Sequence, residues 1–284
     1  MNNVLTKPLS RLSRKLQHPQ ELTKKVLALP LSVFRPGNIA MFHIGRSGST
    51  VLADLLEQHP KITWDGELYQ RFLEYWKKQE VAIEAGEVTV NPAKLVRQRM
   101  IWAGNKFYGF EVKFYHLKRA NVNLSDYIEQ LHRLGFSHFI VLERRNYLRK
   151  IVSSIIAADI SRRYHQQSHE QAILNRIEID LDNTKVDDYI KPLIAHLQDF
   201  DENFRKLEEL LENRRVLRLT YEEDISAAPL EGYRRICDFL GIDYRPGSIR
   251  YSKTNPFKLS EIIINFEEVE HALRGTRFEW MLYE

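Results

Sequence analysis

A glycine-containing loop at residues 45–50 constrains the fold of this chain more than any other feature of its sequence. The preceding residues 38–44 are typical of a short buried strand, and residues 49–58 repeat apolar side chains at helical spacing. A loop at such a junction lets successive backbone N–H groups converge at the positive end of the helix dipole. Gly45 and Gly48 can adopt positive φ and let an anion approach the backbone. The sequence therefore predicts a phosphate or sulfate site here.

The side chains of the loop support an anion but not a nucleoside triphosphate. Arg46 adds a permanent charge, and the loop offers three hydroxyl groups, those of Ser47, Ser49 and Thr50. The Walker A pattern instead needs a lysine for the terminal phosphates, followed by a hydroxyl that holds Mg²⁺. Only two residues separate Gly45 from Gly48 here, and serine follows Gly48.

A second basic stretch follows a predicted strand at residues 139–142. It contains three arginines and a lysine, and we expect a helix that begins with Arg145, Arg149 and Ser153 along one face. A guanidinium that bonds two oxygens at once, beside a hydroxyl, suits a phosphomonoester. Taken alone, the stretch is explained equally well as a solvated basic face of a helix.

Together the two stretches resemble the sulfotransferases, most closely the carbohydrate-type and bacterial members. Gly45 to Thr50, the apolar helix, Gln58-His59-Pro60 and then Glu67 are similar to that family's 5′-phosphosulfate segment, and Arg145 with Ser153 to its 3′-phosphate segment. The resemblance implies the donor 3′-phosphoadenosine 5′-phosphosulfate (PAPS), with PAP as product. It also implies in-line sulfuryl transfer to a hydroxyl or amine acceptor, expected to be a carbohydrate or glycolipid.

The same resemblance implies roles for individual residues. Arg46 and the N–H groups of residues 47–50 are expected to stabilise the charge that develops on the leaving phosphate. Glu67 is the expected general base, with His43 as the competing candidate, although a histidine inside a buried strand is more often a hydrogen-bonded core residue. Lys253, in a basic loop near the C-terminus, is expected to contact the donor. No metal is required by this scheme.

The order of elements predicts an α/β fold with a largely parallel sheet and helices on both faces. The resemblance makes this a three-layer α/β/α, P-loop NTPase-like sulfotransferase fold. We expect a basic leader helix over 1–36 and a single domain over 37–284, with a helical insertion at about 155–185 above the acceptor side. Residues 186–213 are predicted to form one long amphipathic helix. Other predicted helices and strands span 92–104, 107–114, 124–134, 215–219 and 229–240.

The charge and hydropathy of the chain indicate which kinds of partner it can bind. The net charge of +4 and pI near 9.0 suit an anionic ligand, whereas binding of nucleic acid requires a denser cluster of basic residues. The apolar run at 26–34 is too short to span a bilayer. Because the Golgi sulfotransferases of animals carry a membrane anchor, the resemblance then implies a cytoplasmic, bacterial protein; the N-terminus alternatively contacts a membrane surface. The single cysteine, Cys237, excludes an internal disulfide. The sequence does not indicate an oligomeric state.

Two functions from other classes stay open on the sequence alone. A P-loop kinase or other NTP-using transferase would carry a lysine in the loop, and a non-catalytic nucleotide-binding protein would have no use for a carboxylate at Glu67. The acceptor is also open, because the aromatic residues at 64–76 and 102–115, with Lys113, fit a sugar, a lipid-linked polyol or a phenol alike.

Overall fold

A computed structural model describes residues 32–70, 92–159, 166–167, 173–252 and 256–284. The strands, in chain order, are β1 (Asn38–His43), β2 (Ile62–Trp64), β3 (Phe107–Lys113), β4 (Phe136–Glu143), β5 (Gln166–Gln167), β6 (Thr184–Val186), β7 (Tyr189–Lys191), β8 (Val216–Thr220) and β9 (Tyr251–Ser252). The α-helices are α1 (Ser49–Gln58), α2 (Pro92–Met100), α3 (Phe114–Arg119), α4 (Leu124–Arg133), α5 (Tyr147–Asp159), α6 (Leu193–Leu211), α7 (Pro229–Leu240), α8 (Leu259–Ile262) and α9 (Phe266–Leu273). Single helical turns occur at Ser32–Phe34, Ile101–Ala103, Tyr221–Ser226 and Glu279–Leu282.

The central sheet is parallel, with strand order β2-β3-β1-β4-β8. Ala40 of β1 lies opposite Phe110 of β3 on one side and Phe139 of β4 on the other. Strand β1 therefore pairs with β3 on one side and with β4 on the other. The carboxyl ends of these three strands lie at the same edge of the sheet. Such a switch point is where open parallel sheets bind ligands.

Alternate residues of β1 face opposite sides of the sheet and pack against different helices, which gives three layers. Ile39 and Met41 pack with α1 and α7, whereas Ala40 and Phe42 pack on the opposite face with α4, α5 and α6. All six residues of β1 are buried, as expected for a central parallel strand covered by helices on both faces. The predicted three-layer α/β/α fold with a parallel sheet is confirmed.

The predicted helix at 186–213 is wrong at its start, because α6 begins only at Leu193. Residues 184–191 form an antiparallel hairpin, in which β6 pairs with β7 across a turn at Asp187 and Asp188. Asp187 has φ 55°, which aspartate tolerates better than most residues. The β-branched and aromatic residues beside the turn favour strands, and Pro192 then separates the hairpin from the helix.

The helix expected to begin at Arg145 also begins later. The Asn146 side chain accepts a 2.9 Å hydrogen bond from the backbone N–H of Arg149, which makes Asn146 the N-cap of α5. Arg145 therefore precedes the helix and does not share a helical face with Arg149 and Ser153.

The helical insertion expected at about 155–185 falls partly on residues 160–165 and 168–172, which lie outside the described ranges. Helix α5 ends at Asp159, β5 pairs antiparallel with β9, and Ile177 and Ile179 are buried in the core beside Ile263. The expected leader helix falls almost entirely on residues 1–31, and the donor contact expected of Lys253 falls on residues 253–255, all outside the described ranges. Among the described helices, none combines the length and the apolar character needed to cross a bilayer.

Candidate anion-binding and transfer site

The loop between β1 and α1 has a backbone shaped for an anion. Positive φ angles occur at Gly45 (77°), Arg46 (55°) and Gly48 (76°). Left-handed residues within a short turn direct neighbouring N–H groups into one concavity. Gly48 is the N-cap of α1 and has no side chain that could accept from the amides of the first turn. The loop can therefore present backbone donors and the positive helix end to the same ligand atoms.

Close packing requires glycine at position 48. A Cβ at Gly48 would lie 2.5 Å from Cγ2 of Ile225 and 3.0 Å from the Tyr221 ring. Both of those residues belong to the helical turn after β8. The turn therefore supports the loop from outside, and a larger residue would displace one or the other.

Two of the three predicted loop hydroxyls face the protein interior. Ser47 is fully buried, with Oγ 3.4 Å from Nδ1 of His43, and Ser49 is buried with its hydroxyl bonded to Glu111. Thr50 is half-buried at the start of α1. The anion-binding capacity of the loop is thus built more from backbone amides and cations than from serine hydroxyls.

A buried histidine and glutamate lie beneath the loop. The N–H of Gly45 donates to Nδ1 of His43 at 3.1 Å, which assigns the ring proton to Nε2. That Nε2 lies 3.1 Å from Oε2 of Glu111, and neither side chain is appreciably exposed. Burial raises the pKa of Glu111, but His43, the Ser49 hydroxyl and Lys113 outweigh burial and lower it. His43 thus supports the loop backbone from below.

Lys113, the last residue of β3, connects Glu67 to the loop. Its Nζ donates to Oε2 of Glu67 at 2.5 Å. A Cβ at Gly45 would lie 3.3 Å from Lys113 Cε and 3.6 Å from Nζ, so the lysine lies against the loop. Both charged groups are partly exposed, with side-chain fractions of 15% for Lys113 and 30% for Glu67. A cation and a carboxylate therefore flank the anion loop.

Two residues from the β4–α5 region hold the loop from the other side. Nε of Arg46 donates to the buried Ser153 Oγ at 2.8 Å, and Arg144 Nη1 donates to the Arg46 carbonyl at 2.6 Å. Arg144 also lies over the Tyr221 ring, 4.5 Å from its centre. Burial lowers the pKa of Arg144 to about 10, so its guanidinium remains charged at neutral pH. Helix α5 and the end of β4 thereby position Arg46.

In the structure, Arg145 forms an ion pair with an acidic residue on the surface. Its guanidinium donates to Glu223 at 2.6 Å and is half exposed, with its backbone N–H donating to Glu222. The two residues expected to bind the 3′-phosphate therefore have different partners, Ser153 with Arg46 and Arg145 with Glu223.

Glu111 and Arg144 are not among the residues expected from the sequence, and Lys113 is expected only beside the acceptor. A signal for them does exist, because Glu111 and Lys113 interrupt an otherwise apolar strand and Arg144 directly follows another strand. A charged residue near the carboxyl end of a buried parallel strand is a candidate for the ligand edge.

Chemically, the arrangement can bind and polarise a tetrahedral anion. Backbone amides of the loop, the loop residue Arg46 and Lys113 against Gly45 supply positive charge at the loop, and Glu67, bonded to Lys113, supplies a carboxylate there. Such preorganised donors stabilise charge that develops during group transfer.

Comparison with known proteins gave one family match. Residues 42–246 match the model of the sulfotransferase family. A search of the curated proteins found no match. Among solved structures, the chain is similar to a mouse sulfotransferase, SULT7A1, complexed with PAP, at 16% sequence identity and a TM-score of 0.39. The similarity covers 77% of this chain and 64% of that protein, so the chain spans less than two thirds of that protein's length.

Proposed function

Because the chain belongs to the sulfotransferase family, we propose that it transfers the sulfuryl group of PAPS to a hydroxyl or amine acceptor, a carbohydrate or glycolipid. The observation that carries this proposal is the loop of residues 45–50, which has three positive φ angles and two neighbouring cations, Arg46 and Lys113. An amide concavity of this kind suits a phosphate or phosphosulfate group.

The donor would bind at two places. The 5′-phosphosulfate would bind the amides of residues 45–50 and Arg46, and the 3′-phosphate would bind near Ser153 on α5. Arg145 and Lys253 remain proposed donor contacts. Arg145 would have to exchange Glu223, on the exposed surface, for a phosphate oxygen. An exposed ion pair contributes only about 0–1 kcal/mol, so a charge-assisted phosphate contact can replace it.

Transfer breaks the S–O bond to the leaving phosphate and forms a new S–O or S–N bond to the acceptor. Negative charge then develops on the leaving phosphate oxygen, where the loop amides, Arg46 and Lys113 would stabilise it. Loss of one such donor typically costs about 10² to 10³ in rate. Glu67 would accept the acceptor proton, and its bond to Lys113 would hold its carboxylate next to the loop.

Calorimetry with PAP and ATP, each with and without Mg²⁺, tests the donor assignment. We expect PAP to bind tightly without Mg²⁺ and ATP to bind at least about tenfold more weakly, a difference of about 1.4 kcal/mol. A preference for ATP that depends on Mg²⁺ would instead identify an NTP-using transferase.

A pair of arginine variants tests the location of the donor. Arg46→Ala is expected to weaken PAP binding by about tenfold or more, because it removes a charge-assisted contact. Arg245→Ala, at an exposed position outside the site, is the matched control and should bind PAP as the wild type does.

The acceptor itself is best identified by transfer of radiolabel. Incubation of the protein with [³⁵S]PAPS and a cell extract should label a carbohydrate or glycolipid fraction, and the Glu67→Gln protein should not. Label in free phenols or in protein alone would exclude the carbohydrate proposal.

A further inference from the structure

A cavity of about 260 Å³ opens beside the candidate site. Ile44 and Phe114, which directly follow β1 and β3, contribute to its lining. The hairpin β6–β7 contributes Asp187 and Tyr189, and α6 contributes Asn203. The cavity therefore lies at the same sheet edge as the anion loop, between that edge and the hairpin.

One side of the cavity reaches the groups proposed to perform transfer. Tyr115 lines the cavity, and its ring centre lies 5.8 Å from Nζ of Lys113, which is bonded to Glu67. Burial raises the pKa of the Tyr115 phenol, and the charges of Asp187 and Glu67 raise it further. Tyr115 is thus close enough to the carboxylate of the hairpin and to the carboxylate beside the loop to interact electrostatically with both. A molecule in the cavity would contact the wall next to the site where sulfuryl transfer is proposed.

The charges in the cavity wall are compensated. The lining contains three carboxylates, Asp187, Asp199 and Glu202, and two ammonium groups, Lys118 and Lys191. Nζ of the fully buried Lys150 donates to Asp187 at 2.8 Å and supplies the third positive charge, and Lys191 forms an ion pair with Asp199. Lys118 lies 4.5 Å from the centre of the Tyr189 ring. The wall thus offers many hydrogen-bond donors and acceptors without an excess of either charge. A charged ligand would lose its hydration there without gaining a matching counter-charge.

The wall also has apolar ring faces, supplied by Phe114, Tyr115, Tyr189 and Phe200. Aromatic rings of this kind pack against the apolar faces of ligands, while the polar groups between them fix orientation. The volume is just below the range of about 300–1,000 Å³ that is usual for drug-sized ligands. The space suits one ring with polar edges, rather than several linked rings.

We propose that this cavity is the acceptor site and that it binds a single uncharged, polyhydroxylated ring, with Asp187 orienting one of its hydroxyls. This inference rests on the proposed sulfotransferase function and specifies its acceptor class. The Asp187 carboxylate is partly exposed to the cavity and is held by Lys150, so it can accept a hydrogen bond without changing conformation.

The first test compares two acceptors that differ in charge. The probes are a methyl hexopyranoside and the corresponding methyl hexuronide, whose C6 carboxylate adds one negative charge. With PAPS as donor, we expect kcat/KM for the hexoside to exceed that for the hexuronide by about tenfold or more. Equal or reversed preference would contradict an acceptor site for uncharged rings.

The second test fills the cavity. Asn203→Trp should raise KM for the hexoside by about tenfold or more while leaving the Kd for PAP within about twofold, because it obstructs only the acceptor space. Lys206→Trp, exposed on the same helix, is the matched control and should leave both values unchanged. An unchanged acceptor KM in Asn203→Trp would place the acceptor outside this cavity.

The third test isolates the hairpin carboxylate. Asp187→Asn should lower kcat/KM for the hexoside by about tenfold, whereas Asp188→Asn, at the next position of the same turn, should not. Thermal unfolding of both variants shows whether loss of the partner of Lys150 disturbs the fold. If Asp187→Asn unfolds, Asn203→Trp still decides the proposal.

Binding measurements distinguish a wrong acceptor assignment from a wrong donor assignment. Ligand-observed NMR should detect binding of the hexoside to the PAP-bound wild-type protein and its loss in Asn203→Trp. If PAP binds but the hexoside neither binds nor reacts, the acceptor proposal is wrong and the donor assignment stands. If PAP does not bind, the proposed function fails, and the NMR comparison without PAP still tests the cavity.

Discussion

Gly48 and Gly241 have nearly the same backbone conformation and very different surroundings. Their φ angles are 76° and 68°. A Cβ at Gly48 would lie 2.5 Å from Ile225, whereas a Cβ at Gly241 would have nothing within 4 Å. The two positions therefore separate the cost of the left-handed conformation from the cost of close packing.

We expect Gly241→Ala to lower the free energy of unfolding by about 1–2 kcal/mol, the cost of a left-handed non-glycine residue, and to leave PAP binding intact. Gly48→Ala should cost more than that and weaken PAP binding at least about tenfold, because the clash with Ile225 displaces the anion loop. Urea unfolding and PAP calorimetry measure both effects. Equal effects on PAP binding would contradict the assigned role of the loop.

Glu67 is the second residue whose substitution separates binding from chemistry. Glu67→Gln should retain a Kd for PAP within about twofold and lower kcat by about 100-fold or more, the usual contribution of a general base. Initial rates with saturating PAPS measure the loss, and Glu212→Gln, at an exposed position, is the control. Retained turnover in Glu67→Gln would remove Glu67 from the mechanism.

Residues whose role depends on local sequence could be predicted, and those whose role depends on tertiary neighbours could not. Gly45 and Gly48 lie in the loop they shape, so the order of residues was enough to find them. Lys113 contacts the loop from the end of β3, and Arg144, which directly follows β4, contacts it from 98 residues beyond Arg46. Only the sheet order, which places β3 and β4 beside β1, brings them together.

At the scale of elements, α5 carries the most consequential contact of the site. Ser153 on this helix accepts the hydrogen bond from Arg46, and the neighbouring Ser154 has a buried Oγ without a hydrogen-bond partner among the described residues. The two serines are adjacent in sequence but point in different directions around the helix. They therefore form a matched pair.

Ser153→Ala should weaken PAP binding about tenfold, because it frees Arg46 from the helix and removes a hydroxyl from the proposed 3′-phosphate site. Ser154→Ala should leave PAP binding unchanged and be neutral or slightly stabilising, because it removes a buried hydroxyl without a partner. Calorimetry gives the first result and thermal unfolding the second. Equal loss of affinity in both variants would exclude a specific role for Ser153.

Long elements with a clear period were predicted well, and short ones were not. The predicted helices at 49–58 and 229–240 match α1 and α7, whose apolar stripes repeat over several turns. Strand β2 has three residues and lies in none of the predicted elements, and most of the hairpin at 184–191 falls within the helix predicted at 186–213. Such short segments contain too few residues for a period of two to be distinguished from one of 3.6.

At the scale of the whole molecule, buried histidines make stability depend on pH. Burial lowers the pKa of His116, of His138 to about 4, and of His196. All three are at most 5% exposed. Because they resist protonation in the folded state, the unfolded chain binds more protons below pH 6.5, the ordinary histidine value. Their contribution to stability is complete above that pH and is lost as the pH falls.

We therefore expect the free energy of unfolding to decrease from pH 7.5 to pH 5.5, with each histidine contributing a slope of up to about 1.4 kcal/mol per pH unit. His138→Asn should reduce this slope by the contribution of one histidine, up to about 1.4 kcal/mol per pH unit. Urea unfolding at several pH values measures it, with His132→Asn on the exposed face of α4 as control. A wild-type stability that does not fall over this interval would contradict the prediction.

Helix α5 contacts both proposed substrate sites. Ser153 accepts a hydrogen bond from Arg46 in the donor site, and Lys150, one turn earlier, donates to Asp187 in the proposed acceptor cavity. If donor binding shifts this helix, the hairpin wall moves with it. Thermodynamic linkage then requires reciprocity: whatever factor PAPS imposes on acceptor affinity, the acceptor imposes on PAPS. The two substrates would bind cooperatively through a single rigid element, and initial-rate patterns would show each substrate changing the apparent KM of the other.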